Sequence, residues 1–393
     1  MTRLALDGDA AIAEGVRLSR PRFVAAYPIT PQTPIVERVA DFIAVGRLDA
    51  RYMATESEHS ALTAVVGSAV VGVRTFTATA GAGLALMHEI VGVASGNRLP
   101  ILMAIANRAL PSPWSLQTDH SDSMAERDMG WIQLYAENCQ EALDLVIVGY
   151  RVAESVRLPV MLCIDGFFLS HATEGVEVPE QEAVDAFLPP YVRGSNHLDP
   201  EHPMTLNQLT SADMFTELKY CHKLALDRTI EEFPVIGAAF GVSFGRPYSL
   251  VEAEATEGAD LVLVTLGSCS GTAKHVARAL RAQGKKVGTL KVTAFRPFPR
   301  QAIRDTLAGA KAVAVIDRSW GLGSDGALAL DVKAALYGAP NIPVYDFIAG
   351  LGGRDLHAGT ISACVDRALA MAADGTTQDG PEWIDLRKEV PHE

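Results

Sequence analysis

Tyr27-Pro28-Ile29-Thr30-Pro31-Gln32-Thr33-Pro34 joins an apolar run, Arg22–Ala26, to a segment whose Ile35, Val36, Val39, Phe42 and Ile43 fall on one helical face. The run reads as a strand and the segment as an amphipathic helix. Three prolines fix φ within the connection and hold Thr30 and Thr33 rigidly. Pro34 suits a first helical turn, where its missing N–H costs nothing. As a bare pattern this is a stiff strand–helix loop. Its position says more, because α/β sheets place ligands outside the carboxyl ends of their strands.

The same rhythm extends outward. Val73–Ala80, Leu99–Ala106 and Leu158–Asp165 read as further strands, and Leu84, Met87, Ile90 and Val91 share another helical face. Alternating strands and helices imply a parallel sheet with helices on both faces. Residues 171–245 break the pattern with Pro179, Pro189, Pro190, Pro200 and Pro203. They read as an irregular connector carrying a helix near Ala212–Glu232, of the kind that wraps a neighbouring domain or subunit. The alternation resumes at Gly258, with strands at Leu261–Leu266, Val287–Leu290, Ala312–Ile316 and Val344–Phe347 and helices at Thr272–Gln283 and Thr360–Met371. The expected divisions are 1–240 (including the connector, 171–240), 241–373, and a polar, loosely held tail, 374–393.

A net charge of −13 disfavours nucleic acid and acidic membrane surfaces as partners and suits a cytoplasmic chain. The amino terminus lacks a secretory apolar core. No run approaches the roughly 18 apolar residues of a membrane span. The five cysteines, Cys139, Cys163, Cys221, Cys269 and Cys364, contain no Cys-x-x-Cys pair, so no iron–sulfur cluster is expected on this chain. His59, His88 and His120 lack metal-site spacing, and Asp119, Asp122 and Asp128 read as loop caps; no metal ligand is assigned.

Three features have chemical potential. Thr55-Glu56-Ser57-Glu58 matches a capping box, with Thr55 as N-cap and Glu58 reaching back to it; alternatively Glu58 is a working carboxylate. Arg108 follows the Leu99–Ala106 strand, either as an ion-pair partner or as a fork for a carboxylate. Gly81-Ala82-Gly83 opens a helix after a strand, either as a tight turn or as a place where backbone approaches a ligand.

Seven further segments accompany Tyr-Pro-Ile-Thr-Pro in order. They are Glu56–Ala61, Thr77–Leu84, Asn107–Leu110, Asp119–Asp122, Arg127–Trp131, Phe295–Pro299 and Gly350–Asp355. Together, over roughly residues 5–372, the chain resembles the alpha subunit of 2-oxoacid:ferredoxin (acceptor) oxidoreductases of the pyruvate:ferredoxin type. The resemblance implies a thiamine-diphosphate pyrimidine-binding domain followed by a transketolase C-terminal-like α/β domain. It implies that Glu58 contacts N1′ of the aminopyrimidine and assists proton loss from the thiazolium C2. Arg108 would hold the substrate carboxylate, and Thr30 would place a hydroxyl near the 2-oxo group. Tyr27, Pro28, Ile29, Thr30, Glu58, Gly81 and Gly83 would line the cofactor.

The family's Gly-Asp-Gly diphosphate motif is missing; Gly8-Asp9-Ala10 comes nearest. The resemblance therefore implies a beta subunit with the diphosphate and Mg²⁺ site, iron–sulfur clusters on partner chains, and gamma and ferredoxin-like delta subunits. The reaction would convert a 2-oxoacid and coenzyme A to acyl-CoA and CO₂, with ferredoxin or another acceptor taking electrons. Pro113-Trp114-Ser115-Leu116-Gln117 departs from the pyruvate-type pattern. Trp114 either reshapes the pocket toward an aromatic 2-oxoacid such as phenylglyoxylate, with NAD as a possible final acceptor, or packs against a partner.

Overall fold

A computed structural model describes residues 1–192, 194, 197–338 and 342–387. In chain order its strands are β1 (Thr2–Asp7), β2 (Phe23–Ala26), β3 (Arg51–Ala54), β4 (Thr75–Thr79), β5 (Leu102–Asn107), β6 (Ile132–Tyr135), β7 (Val160–Asp165) and β8 (Thr173–Val178). They continue with β9 (Val251–Glu254), β10 (Leu261–Leu266), β11 (Val287–Val292), β12 (Ala294–Arg296), β13 (Val313–Asp317), β14 (Val344–Ile348) and β15 (Glu382–Trp383).

The first sheet has the order β12-β6-β7-β5-β4-β2-β3. Its pairs are parallel except β12 against β6. The residues of β4, β5 and β7 are buried throughout, as strands covered on both faces should be. Parallel pairing puts the carboxyl ends of β2, β4, β5 and β7 on one edge. The loops beginning at Tyr27, Gly81, Arg108 and Gly166 emerge there.

The second sheet, β15-β14-β13-β10-β11-β9, is parallel except for β9. A two-stranded antiparallel ribbon, β1 with β8, closes the start of the chain onto the connector.

The two halves share one apolar layer. Met103, Ile105, Trp131 and Tyr135 from the first half pack in one cluster with Val264, Leu290, Phe295 and Val313 from the second. Phe295 is the middle residue of β12, which crosses back to pair with β6. It is fully buried edge-on against Tyr135, 6.2 Å between centroids. Truncating such a phenyl to Ala typically costs about 3–5 kcal/mol, so Phe295 helps to lock the halves together.

Three expectations need correction. The connector helix runs from Ala212 to Phe244, through Pro234 and past Glu232. A mid-helix proline costs a hydrogen bond, but Phe240 and Phe244 pack on Phe187 and on each other, at centroid distances of 4.4–5.9 Å. Tertiary burial outweighs the proline, and the division expected at 240/241 falls inside this helix. The tail is also held more firmly than expected. Glu382–Trp383 adds a strand to β14, Gln378 exchanges two hydrogen bonds with the Asp346 backbone (2.6 and 2.9 Å), and Trp383 meets Trp320 at 5.1 Å. Residues 388–393 of that tail, and residues 193, 195 and 196 of the connector, lie outside the described residues. Finally, the face formed by Leu84, Met87, Ile90 and Val91 belongs to two short helices, Gly81–Leu86 and His88–Gly96, which meet at Met87.

Candidate active site

Gln32 anchors the loop after β2. Its side chain is fully buried and donates to Ala78 O of β4 at 2.5 Å. The helix Thr33–Ala44 then starts with proline in its first turn. Tyr27, Pro28 and Thr30 remain exposed and Ile29 is partly buried. The loop is therefore rigid at its far end and open at its tip.

Glu58 is not the reciprocal member of a capping box. Ser57 is the N-cap of helix Glu58–Ala69, its hydroxyl accepting from Ser60 N at 3.2 Å. Glu58 is therefore the first helical residue, too early to reach back as a third-position glutamate does. Thr55 instead donates to Ser57 O and, at 3.3 Å, to Ala26 O. The Glu58 side chain turns inward and the residue is only 6% exposed. Among the described residues nothing donates to its carboxylate. A buried, unpaired carboxylate is costly, so its position needs a reason beyond helix capping.

Glycine makes the space for it. A Cβ on Gly83 would stand 2.5 Å from Glu58 Oε1 and 2.7 Å from Thr79 Oγ1. Thr79 is itself buried, and its hydroxyl has no partner among the described residues. Gly81 does the same for Arg108: a Cβ there would meet the arginine stem at 3.1–3.3 Å, and Gly81 holds φ +50°. These distances favour the tight-turn alternative for Gly81-Ala82-Gly83. The Gly81 amide already donates to Asp122 Oδ2 at 2.8 Å, and the Gly83 amide to Ala80 O at 3.0 Å. The glycines seat two side chains.

Arg108 is 6% exposed. Its Nε donates to Ser115 O at 3.2 Å and one Nη1–H to Thr30 O at 3.1 Å. The guanidinium carries five N–H donors, so three remain without a partner among the described residues, both of those on Nη2 included. Exposed Trp114 lies with its ring centroid 6.0 Å from the guanidinium carbon. The structure thus brings Thr30, Gly81 and Arg108 together at one side and Glu58, Thr79 and Gly83 at the other, across the Gly81–Gly83 turn.

Sequence reasoning missed the residue that organises this edge. Asp122, read as a loop cap, is 1% exposed and accepts four hydrogen bonds. Oδ2 takes the amides of Gly81 and Arg108 (2.8 and 3.0 Å), and Oδ1 takes Asn107 Nδ2 and the Ser123 amide (2.7 and 2.8 Å). Burial still pushes its carboxyl up to about 6, against the pull of those donors. A second buried carboxylate, Asp165, joins the halves. It pairs with His120 Nε2 at 2.7 Å and Arg318 Nη1 at 3.3 Å and accepts the Ser268 amide at 2.7 Å. Arg318 and His120 hold its pKa down although burial opposes them. Glu137, Glu141 and Glu252 also cluster, but Lys291 reaches all three, and Lys274 reaches Glu137 and Glu252. Two lysines thus offset most of the charge of the three glutamates.

The late motifs dock the second half beside this edge. The Gly353 amide donates to Thr118 O at 2.6 Å and the Gly352 amide to Asp119 Oδ2 at 3.2 Å.

A family model described as pyruvate flavodoxin/ferredoxin oxidoreductase, thiamine diphosphate-binding, matches residues 14–233. A second, pyruvate:ferredoxin oxidoreductase core domain II, matches residues 259–361. The chain belongs to the pyruvate flavodoxin/ferredoxin oxidoreductase family. Its relatives include pyruvate synthase subunit PorA of Pyrococcus horikoshii, 43% identical over 391 residues and 99% of both chains. The PorA subunit of Thermotoga maritima is 47% identical over 357 residues, 90% of this chain and 91% of that one. Ketoisovalerate oxidoreductase subunit VorA of Pyrococcus horikoshii is 41% identical over 385 residues, 98% of both.

The solved 2-oxoglutarate:ferredoxin oxidoreductase of Magnetococcus marinus shares the fold with a TM-score of 0.74 at 22% identity. That match covers 93% of this chain and 65% of the other. A split-gene transketolase shares it at TM-score 0.53 and 14% identity, over 92% of this chain and 97% of the other. The fold is that of a thiamine-diphosphate-binding domain followed by a transketolase C-terminal-like domain, in a 2-oxoacid oxidoreductase family. The residues fit the aminopyrimidine half of that cofactor. Glu58 offers a carboxylate that no described residue donates to, and Thr79 a buried hydroxyl with no partner among them, both against Gly83. Among the described residues no helix is long and apolar enough to cross a membrane.

Proposed function

We propose that this alpha subunit supplies the aminopyrimidine half of a thiamine-diphosphate site in a 2-oxoacid:ferredoxin oxidoreductase acting on a short aliphatic 2-oxoacid of the pyruvate type. The observation that carries the proposal is Glu58: a buried carboxylate with no protein partner, placed at the carboxyl edge of the sheet by a glycine that leaves it room. Thiamine diphosphate, when bound, supplies the carbon nucleophile and electron sink of 2-oxoacid decarboxylation.

Glu58 holds or donates a proton at the pyrimidine N1′ in this arrangement. Arg108 turns its free N–H edge to the substrate carboxylate. Thr30 lies next to that edge, its own carbonyl binding Arg108 Nη1, and offers its hydroxyl to the 2-oxo group. Tyr27, Pro28 and Ile29 line the cofactor from the loop after β2.

The diphosphate and Mg²⁺ belong to a beta subunit, since this sequence has no Gly-Asp-Gly motif. Gamma and ferredoxin-like delta subunits with iron–sulfur clusters carry electrons to ferredoxin, and coenzyme A takes the acyl group. Support for pyruvate comes from the PorA relatives, and for a branched aliphatic acid from VorA. Phenylglyoxylate and NAD gain no support from these names. Trp114 is 75% exposed, with its ring centroid 6.0 Å from the Arg108 guanidinium carbon.

The test is reconstitution. The purified chain alone should be colourless and inactive and should bind thiamine diphosphate weakly. Adding the partner chains should restore turnover of pyruvate or 2-ketoisovalerate over phenylglyoxylate. Decarboxylation by the isolated chain, or iron bound to it, would overturn the divided-site reading.

A further inference from the structure

We propose that Asp122 is a positioning residue for Arg108, setting the guanidinium at substrate-carboxylate distance by holding the Arg108 amide and the Gly81 amide on one carboxylate oxygen. The inference rests on the reading of Arg108 as the substrate-carboxylate fork and adds a residue to it.

Asp122 is buried beneath the site and meets Arg108 only at its backbone amide, not at the guanidinium assigned to substrate, so it acts on the fork by placing the Arg108 backbone. The stem of Arg108 lies directly against Gly81, where even a methyl group would press on three of its carbons. The spacing between the Gly81 turn and the end of β5 therefore decides where the guanidinium stands. Asp122 Oδ2 bridges that gap, 2.8 Å from one amide and 3.0 Å from the other. Oδ1 fixes the preceding residue, Asn107, through its side chain at 2.7 Å. Ser123 Oγ grips the same Asn107 amide group at 2.7 Å and bonds Tyr135 OH at 2.7 Å.

Chemistry explains why the residue is a carboxylate. It faces four donors, and only an ionised carboxylate has acceptor capacity for all of them. An amide of the same shape must turn an NH₂ toward one pair. Either Gly81 and Arg108 lose their acceptor, or Asn107 and Ser123 do.

The experiment uses the assembled holoenzyme with Asp122→Asn and pyruvate as probe. The KM for pyruvate should rise about tenfold to a hundredfold, the scale set by one lost hydrogen bond to a charged group. Exchange of the cofactor C2 proton, which depends on Glu58, should stay within about twofold. Amide hydrogen exchange should show Gly81 and Arg108 losing protection together. An unchanged KM in an assembled complex whose Gly81 and Arg108 amides have lost protection would overturn the proposal. So would a parallel fall in C2 exchange and melting temperature, which marks general structural support.

Arg108→Lys in the same series separates the two levels of argument. If it leaves KM unchanged, the carboxylate-fork reading fails; if it raises KM while Asp122→Asn does not, only the Asp122 proposal fails. Should Asp122→Asn not assemble, Asp122→Ser keeps a hydroxyl acceptor in a smaller volume and should give the same KM-specific loss. The unmodified complex adds a further check, because amides of Gly81 and Arg108 exchanging as fast as those of the exposed 111–114 loop would rule out the bridge.

Discussion

Gly83 and Glu58 occupy one space: a methyl on the glycine would stand 2.5 Å from Glu58 Oε1. Real Cβ atoms do not approach an oxygen so closely, so the two residues constrain each other. Helix propensity alone favours Ala over Gly by about 1 kcal/mol within a helix. At this position the expected outcome divides. Gly83→Ala should leave the melting temperature of the complex within a few degrees, while C2 exchange in the holoenzyme drops at least tenfold as Glu58 swings away. Normal C2 exchange would show that the Glu58 carboxylate can stand elsewhere and still work.

Arg108→Lys replaces a planar fork by a point charge. Lysine can replace neither the bond to Ser115 O nor that to Thr30 O while also offering two parallel N–H groups outward. Loss of a charged hydrogen bond costs roughly 1.5–3 kcal/mol, or about one to two decades in affinity. The KM for the 2-oxoacid should rise by that factor with thiamine diphosphate still bound. Steady-state kinetics beside cofactor titration check this, and an unchanged KM would place Arg108 outside the pocket.

Asp9 gives a pH signature in stability. It is 1% exposed, and neither carboxylate oxygen has a hydrogen-bond partner among the described residues. Burial first, then the nearby Asp7 charge, pushes its carboxyl up to about 9, with Arg38 opposing; His171 Nδ1 stands 3.8 Å away. The folded chain therefore holds a proton that the unfolded chain releases near 4. The stability linked to that proton is complete below pH 4 and is lost as pH rises toward 9. Asp9→Asn removes the titration. Its melting temperature, compared with the parent between pH 5 and pH 9, should gain steadily as pH rises. A constant difference across that range would mean that Asp9 is ionised in the fold.

Much of this architecture was legible because apolar runs announce buried strands. Leu261–Leu266 is a strand over the residues expected, β4 and β7 lie within the runs assigned to them, and β5 passes the end of its run by one residue, Asn107. β3 escaped notice because Arg51, Met53 and Ala54 are exposed, leaving no apolar run to see. β12 and β15 are too short to carry a period, and their partners are distant in sequence. The site was legible in part. Thr30, Glu58 and Arg108 stood out through the motif resemblance. Asp122 did not, because its donors come from residues 81, 107, 108 and 123, and no local pattern joins them. Glu58 was ambiguous for a local reason: its spacing from Thr55 matches a capping box, and only the backbone shows that Ser57 takes the N-cap role.

That same choice of cap sharpens the most direct test. With Ser57 as cap, Glu58 has no capping duty, so Glu58→Gln should cost the fold almost nothing. A variant about as stable as the parent is therefore expected, with its effect confined to chemistry. An amide can hydrogen-bond to the pyrimidine N1′ but cannot exchange a proton with it. Proton loss from C2 should slow by about 10²–10⁴-fold, the usual range for a general acid–base group. The measurement is hydrogen–deuterium exchange at C2 in the assembled holoenzyme, read beside the melting temperature. Slow exchange with an unchanged or raised melting temperature would assign Glu58 to the reaction. Slow exchange with a collapsed melting temperature would make it a structural residue, and normal exchange would remove it from the mechanism despite its place in the family motif.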